Sequence, residues 1–391
     1  MLHILGSAAH RKQLYDDPST PLIVAWTTFF HINTIENVLK PLRNCTYKCG
    51  LIKRSDMALY ERQPSAYIIH HFNLNSSDLP EANPEHLVIF LSLEAPPYTG
   101  TQLFTVLPDY FNATITYRRD SHYFHPYGHF PPLQAGLPAD AIFTEEQVKN
   151  ALRSKVRGSL ILISHCNSDS RREYIIQELA RYTEITVGGN CENRWKGKFG
   201  LMVAYLSRST FTDDELIESH RFYISFENSV CKDYITEKYF LRLSQLLVPV
   251  VLKRSILEDA GLPSSSFIAL DDFATVRELG EYLNHLRSDD AAYLRYFEWT
   301  KSFAKPVLSS SNVLCELCRD IHLKKKLVLE DIVKYYIKDQ CSGSEIALNY
   351  ADNRRKDILD SDLVAETYVD TIFRERGLNP LLAYTRSRTK F

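Results

Sequence analysis

The sequence predicts an α/β protein built on parallel sheets, and three observations carry that prediction. Short apolar runs recur along the chain, such as SLILIS at 159–164, as expected of strands covered on both faces. Helix-start signals lie between them: Ser170 with Glu173, and Thr212 with Glu215, have capping-box spacing. Strand and helix then alternate at short intervals, which marks a doubly wound sheet.

The elements follow in order. In the first half, strands are expected at 22–27, 66–70, 86–94 (HLVIFLSLE) and 111–117 (FNATITY). A proline-rich stretch, PYGHFPPLQAGLP, precedes a domain boundary near 139–157. Beyond it, the strand 159–164 leads through HCNSDS into a helix ending near Arg181. Strand 185–187, helix 212–220, strand 221–226, helix 236–246, strand 248–252, strand 267–270 and helix 275–287 complete the pattern. Past Asp320 the chain is charged and helical in pattern. With 391 residues, at about 150 per domain, this gives a first domain over 1–150, a second over 151–320, and a helical tail over 321–391 with no assigned role.

Composition narrows the function. Lys plus Arg is 46 against 48 for Asp plus Glu, and that balance excludes a bulk nucleic-acid binder, which needs a basic surplus or patch. No segment approaches the roughly 20 apolar residues of a membrane helix, and the opening MLHILGSAAHRK is too short in its apolar part for a signal peptide. Secretory features stand against that: Asn-x-Ser/Thr acceptors at Asn44, Asn75 and Asn112, and the cysteine pairs Cys45/Cys49 and Cys315/Cys318. Disulfides, a zinc site or free buried thiols each fit those pairs. Membrane association would require an N-terminal anchor outside this chain.

Common catalytic signatures are absent: there is no Walker A, G-x-G-x-x-G, H-E-x-x-H or G-x-S-x-G. The D-x-D triplet Asp360-Ser361-Asp362 sits in the charged tail and reads as a solvated face. What remains are polar clusters at strand ends. Glu94 closes an apolar strand before Pro96-Pro97, and Tyr117-Arg118-Arg119-Asp120-Ser121 forms a charged turn. Arg172 opens a helix, where a dipole and a guanidinium fork both favour anions. The densest cluster is Glu227-Asn228-Ser229, then Tyr234, Thr236, Glu237 and Lys238 at one strand-to-helix crossing. Each alone also fits a cap, a turn or a solvated ion pair.

The blocks FYISFENS, DYITEK, VPVVL and FIALDDF, together with TYRRDSHYFHPYG, SHCNSDSRREYIIQEL and YLRYFEWT, resemble the α-1,3-fucosyltransferases of glycosyltransferase family 10 in order and near spacing. The resemblance covers about 22–318 and is invertebrate-like. It implies a GT-B fold, two Rossmann-like domains facing a cleft. It also implies inverting transfer of L-fucose from GDP-β-L-fucose to a GlcNAc hydroxyl of an N-glycan or related glycoconjugate. By that resemblance Glu94 is the general base. Donor contacts fall on Arg172, Glu227, Asn228, Tyr234, Thr236, Glu237 and Lys238, with Ser229 of the same cluster counted among them. No metal ligand set and no tightly bound cofactor is expected, with Mn²⁺ a stimulator in many relatives. The expected partners are GDP-fucose and a glycan acceptor, the expected compartment the Golgi lumen. The family also suggests bridges from Cys315 and Cys318 back to Cys45 and Cys49, while Cys166 and Cys191 fit either a bridge or two buried thiols. Ala95 departs from the serine of many relatives. Two alternatives stay open: a catalytically silent glycan- or nucleotide-binding paralogue, and a GT-B enzyme using another nucleotide sugar. Whether the acceptor is a core or an antenna GlcNAc is open too, although the SHC and VGGNC blocks resemble plant and invertebrate relatives and lean toward the core.

Overall fold

The computed structural model describes residues 17–29, 39, 45–81, 83–191, 203–205, 212–308 and 311–350. They form two compact units. Among described residues, the first unit runs to Pro126 and takes in 311–339, and the second runs from Tyr127 to 308 and takes in 340–350.

The first unit holds a parallel sheet of β1 (Leu22–Ala25), β2 (Gly50–Lys53), β3 (Ala66–His70), β4 (Leu87–Ser92), β5 (Ala113–Thr116) and β6 (Tyr123–Phe124). Its order is β2-β1-β3-β4-β5-β6. Every residue of β1, β3 and β5 is buried, which is why these strands read as continuous apolar runs rather than alternating ones. The helix Val313–His322 returns from far along the chain and seats Val313, Leu314 and Leu317 in the core with Ile23, Ile68, Ile89 and Ile115. Two disulfides, Cys45–Cys315 and Cys49–Cys318, fasten it there.

The second unit begins with β7 (Gly128–His129) and contains β8 (Arg157–Leu162), β9 (Ile185–Gly188), β10 (Val203–Tyr205), β11 (His220–Ile224), β12 (Val248–Val251) and β13 (Ile268–Ala269). The last six form a parallel sheet in the order β10-β9-β8-β11-β12-β13. This is the Rossmann order, whose topological switch point lies between β8 and β11. β7 pairs antiparallel with β14 (Val307–Leu308). Gly128, of the PYG block, lies so close to the helix Glu237–Ser244 that a Cβ there would collide with the Phe240 ring.

The α/β expectation with two Rossmann-like parallel sheets, the GT-B pair, is met, and several details are corrected. The first unit ends at Pro126, earlier than 150, because β7 already pairs with β14 of the second unit. Residues 311–320, expected in the second domain, help to fill the first core, and of the expected tail 321–391 the described part divides, 321–339 in the first unit and 340–350 in the second. The capping box at Thr212 and Glu215 forms, but the one at Ser170 does not. Arg171 there adopts a left-handed backbone (φ 52°), the helix starts at Arg172, and the Ser170 hydroxyl donates to the Glu227 carbonyl at 2.7 Å instead. A capped helix at Glu145–Leu152, opened by Thr144 and Gln147, was not foreseen. Asp360 and Asp362 lie outside the described residues.

Candidate functional site

The residues expected to contact the donor sit on the two loops that flank the switch point of the second sheet, after β8 and after β11, and in the first turns of the helices that these loops enter. Open parallel sheets bind ligands at this point, outside the carboxyl ends of the strands. Glu227 follows β11 and acts as a clamp. Its Oε1 accepts hydrogen bonds from the Thr236 amide at 2.9 Å and the Thr236 hydroxyl at 2.7 Å. Its Oε2 accepts from Lys238 Nζ at 3.0 Å. Lys238 also donates to Thr236 Oγ1 at 3.0 Å and lies 3.6 Å from Glu237. Burial works against charge on Lys238, but Glu227 and then Glu237 outweigh it, so its pKa is raised and the ammonium persists. Thr236 caps the helix Glu237–Ser244, leaving the positive end of the helix dipole beside Lys238.

Arg172 is 2% exposed. Its Nη1 donates to the Phe226 carbonyl and its Nη2 to the His165 carbonyl at 3.2 Å, so one guanidinium ties the loop after β8 to the loop after β11. Its Nε is buried without a hydrogen-bond partner among the described residues. Glu173 organises the same loop by accepting from the Ser168 amide and hydroxyl, the latter at 2.7 Å. Burial raises its pKa, against the pull of those bonds. The Ser170 amide donates to the Asn228 carbonyl at 2.9 Å.

Beneath Glu227 a small pocket opens, lined by Ser225, Ser229, Tyr234, Ile235, Val251 and Lys253 among others. Ser229 Oγ is buried there with no hydrogen-bond partner among the described residues. Asp233 holds a left-handed backbone (φ 60°) and turns the chain from Ser229 toward Tyr234. A disulfide, Cys231–Cys341, braces this loop, and backbone bonds Lys232–Gln340 and Ser342–Val230 flank it at 2.9 Å each.

In the first unit, Glu94 stands just past β4. Its amide donates to Ser92 Oγ at 3.3 Å and its Oε1 accepts from the Ala95 amide at 2.9 Å. Pro96 and Pro97 then begin a short 3₁₀ turn.

The structure gathers Arg172, Glu227, Asn228, Ser229, Tyr234, Thr236, Glu237 and Lys238 on adjoining loops and helix starts of one unit and puts Glu94 on the other. Arg172 is more enclosed than a free surface fork, and Glu227 is committed to its neighbours rather than free. The bridges from Cys315 and Cys318 back to Cys45 and Cys49 that the resemblance suggests are present, and the structure sets their pairing as Cys45–Cys315 and Cys49–Cys318; Cys166 bonds to Cys191. Cys231–Cys341 was missed; with eight cysteines and six assigned, the even remainder was its signal. Cys49, Cys318 and His322 are the one metal-like cluster among the described residues, yet the two sulfurs are bonded to each other. Of the glycan acceptors, Asn75 is exposed and Asn44 lies outside the described residues. The side chain of Asn112 is engaged at the start of the β4–β5 pairing, donating to the His86 carbonyl at 3.0 Å and accepting from the Val88 amide at 2.9 Å. No helix among the described residues is long and apolar enough to cross a membrane.

Comparison with known proteins supplies the kinship. Residues 152–335 match the family model "Glycosyltransferase family 10 (fucosyltransferase) C-term", and 18–128 match "Fucosyltransferase, N-terminal". The chain is 33% identical over 307 residues to the 3-galactosyl-N-acetylglucosaminide 4-alpha-L-fucosyltransferase FUT3 of Pongo pygmaeus, covering 76% of this chain and 75% of that protein. To alpha-(1,3)-fucosyltransferase fut-1 of Caenorhabditis elegans it is 34% identical over 272 residues, 66% of this chain, and the match spans 58% of that protein's length. A crystal structure of an alpha1,3-fucosyltransferase with GDP-fucose aligns over 81% of this chain and 94% of that one, at 16% identity and a TM-score of 0.46. The chain therefore belongs to glycosyltransferase family 10, the fucosyltransferases, and is an enzyme of that family.

Proposed function

We propose that the chain transfers L-fucose from GDP-β-L-fucose to a GlcNAc hydroxyl of an N-glycan or related glycoconjugate, in α-1,3 linkage and with inversion. The observation that carries this reading is the Glu227–Thr236–Lys238 clamp at the Rossmann switch point, above a small pocket that Ser229 and Tyr234 help to line. Family membership and the names of the relatives supply the sugar and the linkage.

In such a transfer the acceptor oxygen attacks C1 of fucose, the bond from C1 to the diphosphate oxygen breaks, and the acceptor proton leaves to a base. Negative charge accumulates on the departing GDP. Lys238, kept charged by Glu227, and the amino end of the helix Glu237–Ser244 are fixed positive groups suited to that charge. Arg172 holds the two loops in register and keeps an unpaired Nε. Glu94, the carboxylate that closes β4 in the first unit, is the proposed proton acceptor. Ser229, Tyr234 and Asn228 are proposed donor contacts, with Ser229 Oγ still lacking a hydrogen-bond partner inside the pocket. A Golgi-lumen setting accords with the four disulfides.

The test is an acceptor array with GDP-fucose, run with and without chelator. Fucose transfer to GlcNAc-bearing glycans with an α-1,3 product supports the reading, and loss of rate with chelator would reveal Mn²⁺ stimulation. Donor binding without transfer would sink it in favour of a silent paralogue, and transfer only from another nucleotide sugar would sink the donor assignment.

A further inference from the structure

The charged turn Tyr117–Ser121 and the segment after Asp331 are taken up by none of the donor chemistry, and in the first unit they meet. The short helix Ile332–Tyr336 is capped by Asp331 and buries Ile332 and Tyr336 completely, one helical turn apart on one face. Arg118, 3% exposed, receives it: its Nη1 donates to the Tyr335 carbonyl, and its guanidinium lies 4.2 Å from the centre of the Tyr335 ring. Asp120 also holds that guanidinium, at 2.6 and 2.9 Å. The Tyr336 ring packs edge-on against Phe90 of β4, centroids 5.0 Å apart.

The phenol of Tyr336 then points at the end of β4. Its hydroxyl donates to the Glu94 carbonyl at 2.6 Å and lies 2.9 Å from Ser92 Oγ. One O–H carries one proton, so the shorter bond takes it and the serine hydroxyl can return its own to the phenol oxygen. Burial pushes the Tyr336 phenol far above its ordinary pKa, so the group stays a donor. Ser92 Oγ in turn accepts from the Glu94 amide. Both peptide groups of Glu94 are thereby held, the amide by Ser92 and the carbonyl by Tyr336, in the short stretch between the last strand residue and Pro96.

We propose that Tyr336 is a positioning residue for the reaction: it fixes the backbone of Glu94, and so the direction of its carboxylate, from a segment at the far end of the chain. The inference rests on the reading of Glu94 as proton acceptor. It requires nothing of the donor loops, and it gives the Tyr117–Ser121 turn the role of a receptor for the Tyr335–Tyr336 pair. An error of about 1 Å in a reacting group costs up to about a hundred-fold in rate, so freeing the Glu94 carbonyl should act on turnover rather than on donor affinity.

The experiment uses the full chain with Tyr336→Phe, Glu94→Gln and the double variant, measuring kcat and KM for GDP-fucose and an α-1,3-accepting glycan, GDP affinity by calorimetry, and Tm. Expected for Tyr336→Phe is a kcat lower by roughly ten-fold or more, with GDP affinity unchanged. In the Glu94→Gln background the same change should add nothing, because the group it positions is gone. Unchanged kcat in Tyr336→Phe, or an effect that persists in full beside Glu94→Gln, overturns the proposal, as does a parallel loss of GDP affinity. If Glu94→Gln alone keeps full turnover, the base assignment has failed and the positioning role falls with it. Should Tyr336→Phe not fold, Ser92→Ala removes the other partner of the phenol with little change in volume. It should lower kcat at constant GDP affinity, and wild-type kcat there overturns the proposal equally.

Discussion

The two candidate centres are built in opposite ways. On the donor side the partners are local: Thr236 reaches Glu227 across nine residues of sequence and Lys238 across eleven. On the Glu94 side the decisive bond comes from a residue 242 positions away. Side chains answer side chains in the first case, whereas in the second the protein grips the backbone, and the carboxylate accepts from the next amide. A cluster that must hold a large anion gains from many fixed charges in a short segment. A lone proton acceptor needs aim, which a rigid backbone supplies.

Four experiments would break or sharpen that contrast. The largest effect is expected from Glu94→Gln, which removes the proposed base and should lower kcat by on the order of 10²–10⁴-fold with GDP-fucose KM little changed; a proportional rise in KM would place Glu94 on the donor side instead. Next is Glu227→Gln, which keeps the Thr236 contacts but strips Lys238 of its nearer counter-charge. Charge-assisted bonds contribute about 1.5–3 kcal/mol, so GDP affinity measured by calorimetry should fall roughly ten- to hundred-fold. Undiminished affinity would show that the clamp is structural only.

Replacing Cys231 and Cys341 together by serine opens a bridge spanning 110 residues of sequence. A loss of about 2–4 kcal/mol of stability is expected, with GDP-fucose KM raised several-fold because the pocket loop loses its brace. Differential scanning calorimetry and donor kinetics would separate the two effects.

The smallest effect is in pH dependence. Burial lowers His125 in the first unit and His220 in the second from 6.5 to about 4. His220 is neutral in a fixed arrangement, Nδ1 to the Leu216 carbonyl at 2.6 Å and Nε2 to Thr186 Oγ1 at 2.7 Å. Between those pH values the unfolded chain binds more protons, so stability falls as pH drops from about 6.5 to about 4. Melting of His125→Gln and His220→Gln against pH should show which unit sets the slope, since losing the responsible histidine flattens it. A slope unchanged in both variants would exclude these residues.

Much of this was legible in the sequence, and the reason is physical. Buried parallel strands such as 159–164 leave unbroken apolar runs, and the donor loops are compact because their residues bind one another. The Thr212 cap could be read because its box is complete within four residues. Ser170 could not, because a left-handed Arg171 shifts the helix start and frees Glu173 to bind Ser168. Strand β2, Gly50–Lys53, does not stand out because a glycine opens it and a lysine closes it, leaving only Leu51 and Ile52 as an apolar run. Tyr335 and Tyr336 were hidden among lysines and acidic residues, and nothing local records that one ring is fully buried against β4.

The helix Val313–His322 bears on how the chain is made. Its cysteines bond to partners 270 and 269 residues earlier, and it fills the core beneath β1 and β3. At a ribosomal pace of about 5–20 residues per second, roughly 15–55 s pass between the emergence of Cys45 and of Cys315. All the strands β8–β13 emerge in that interval. The amino-terminal unit is thus translated first but completed only after β8–β13 have emerged, and its two early thiols wait that long for their partners.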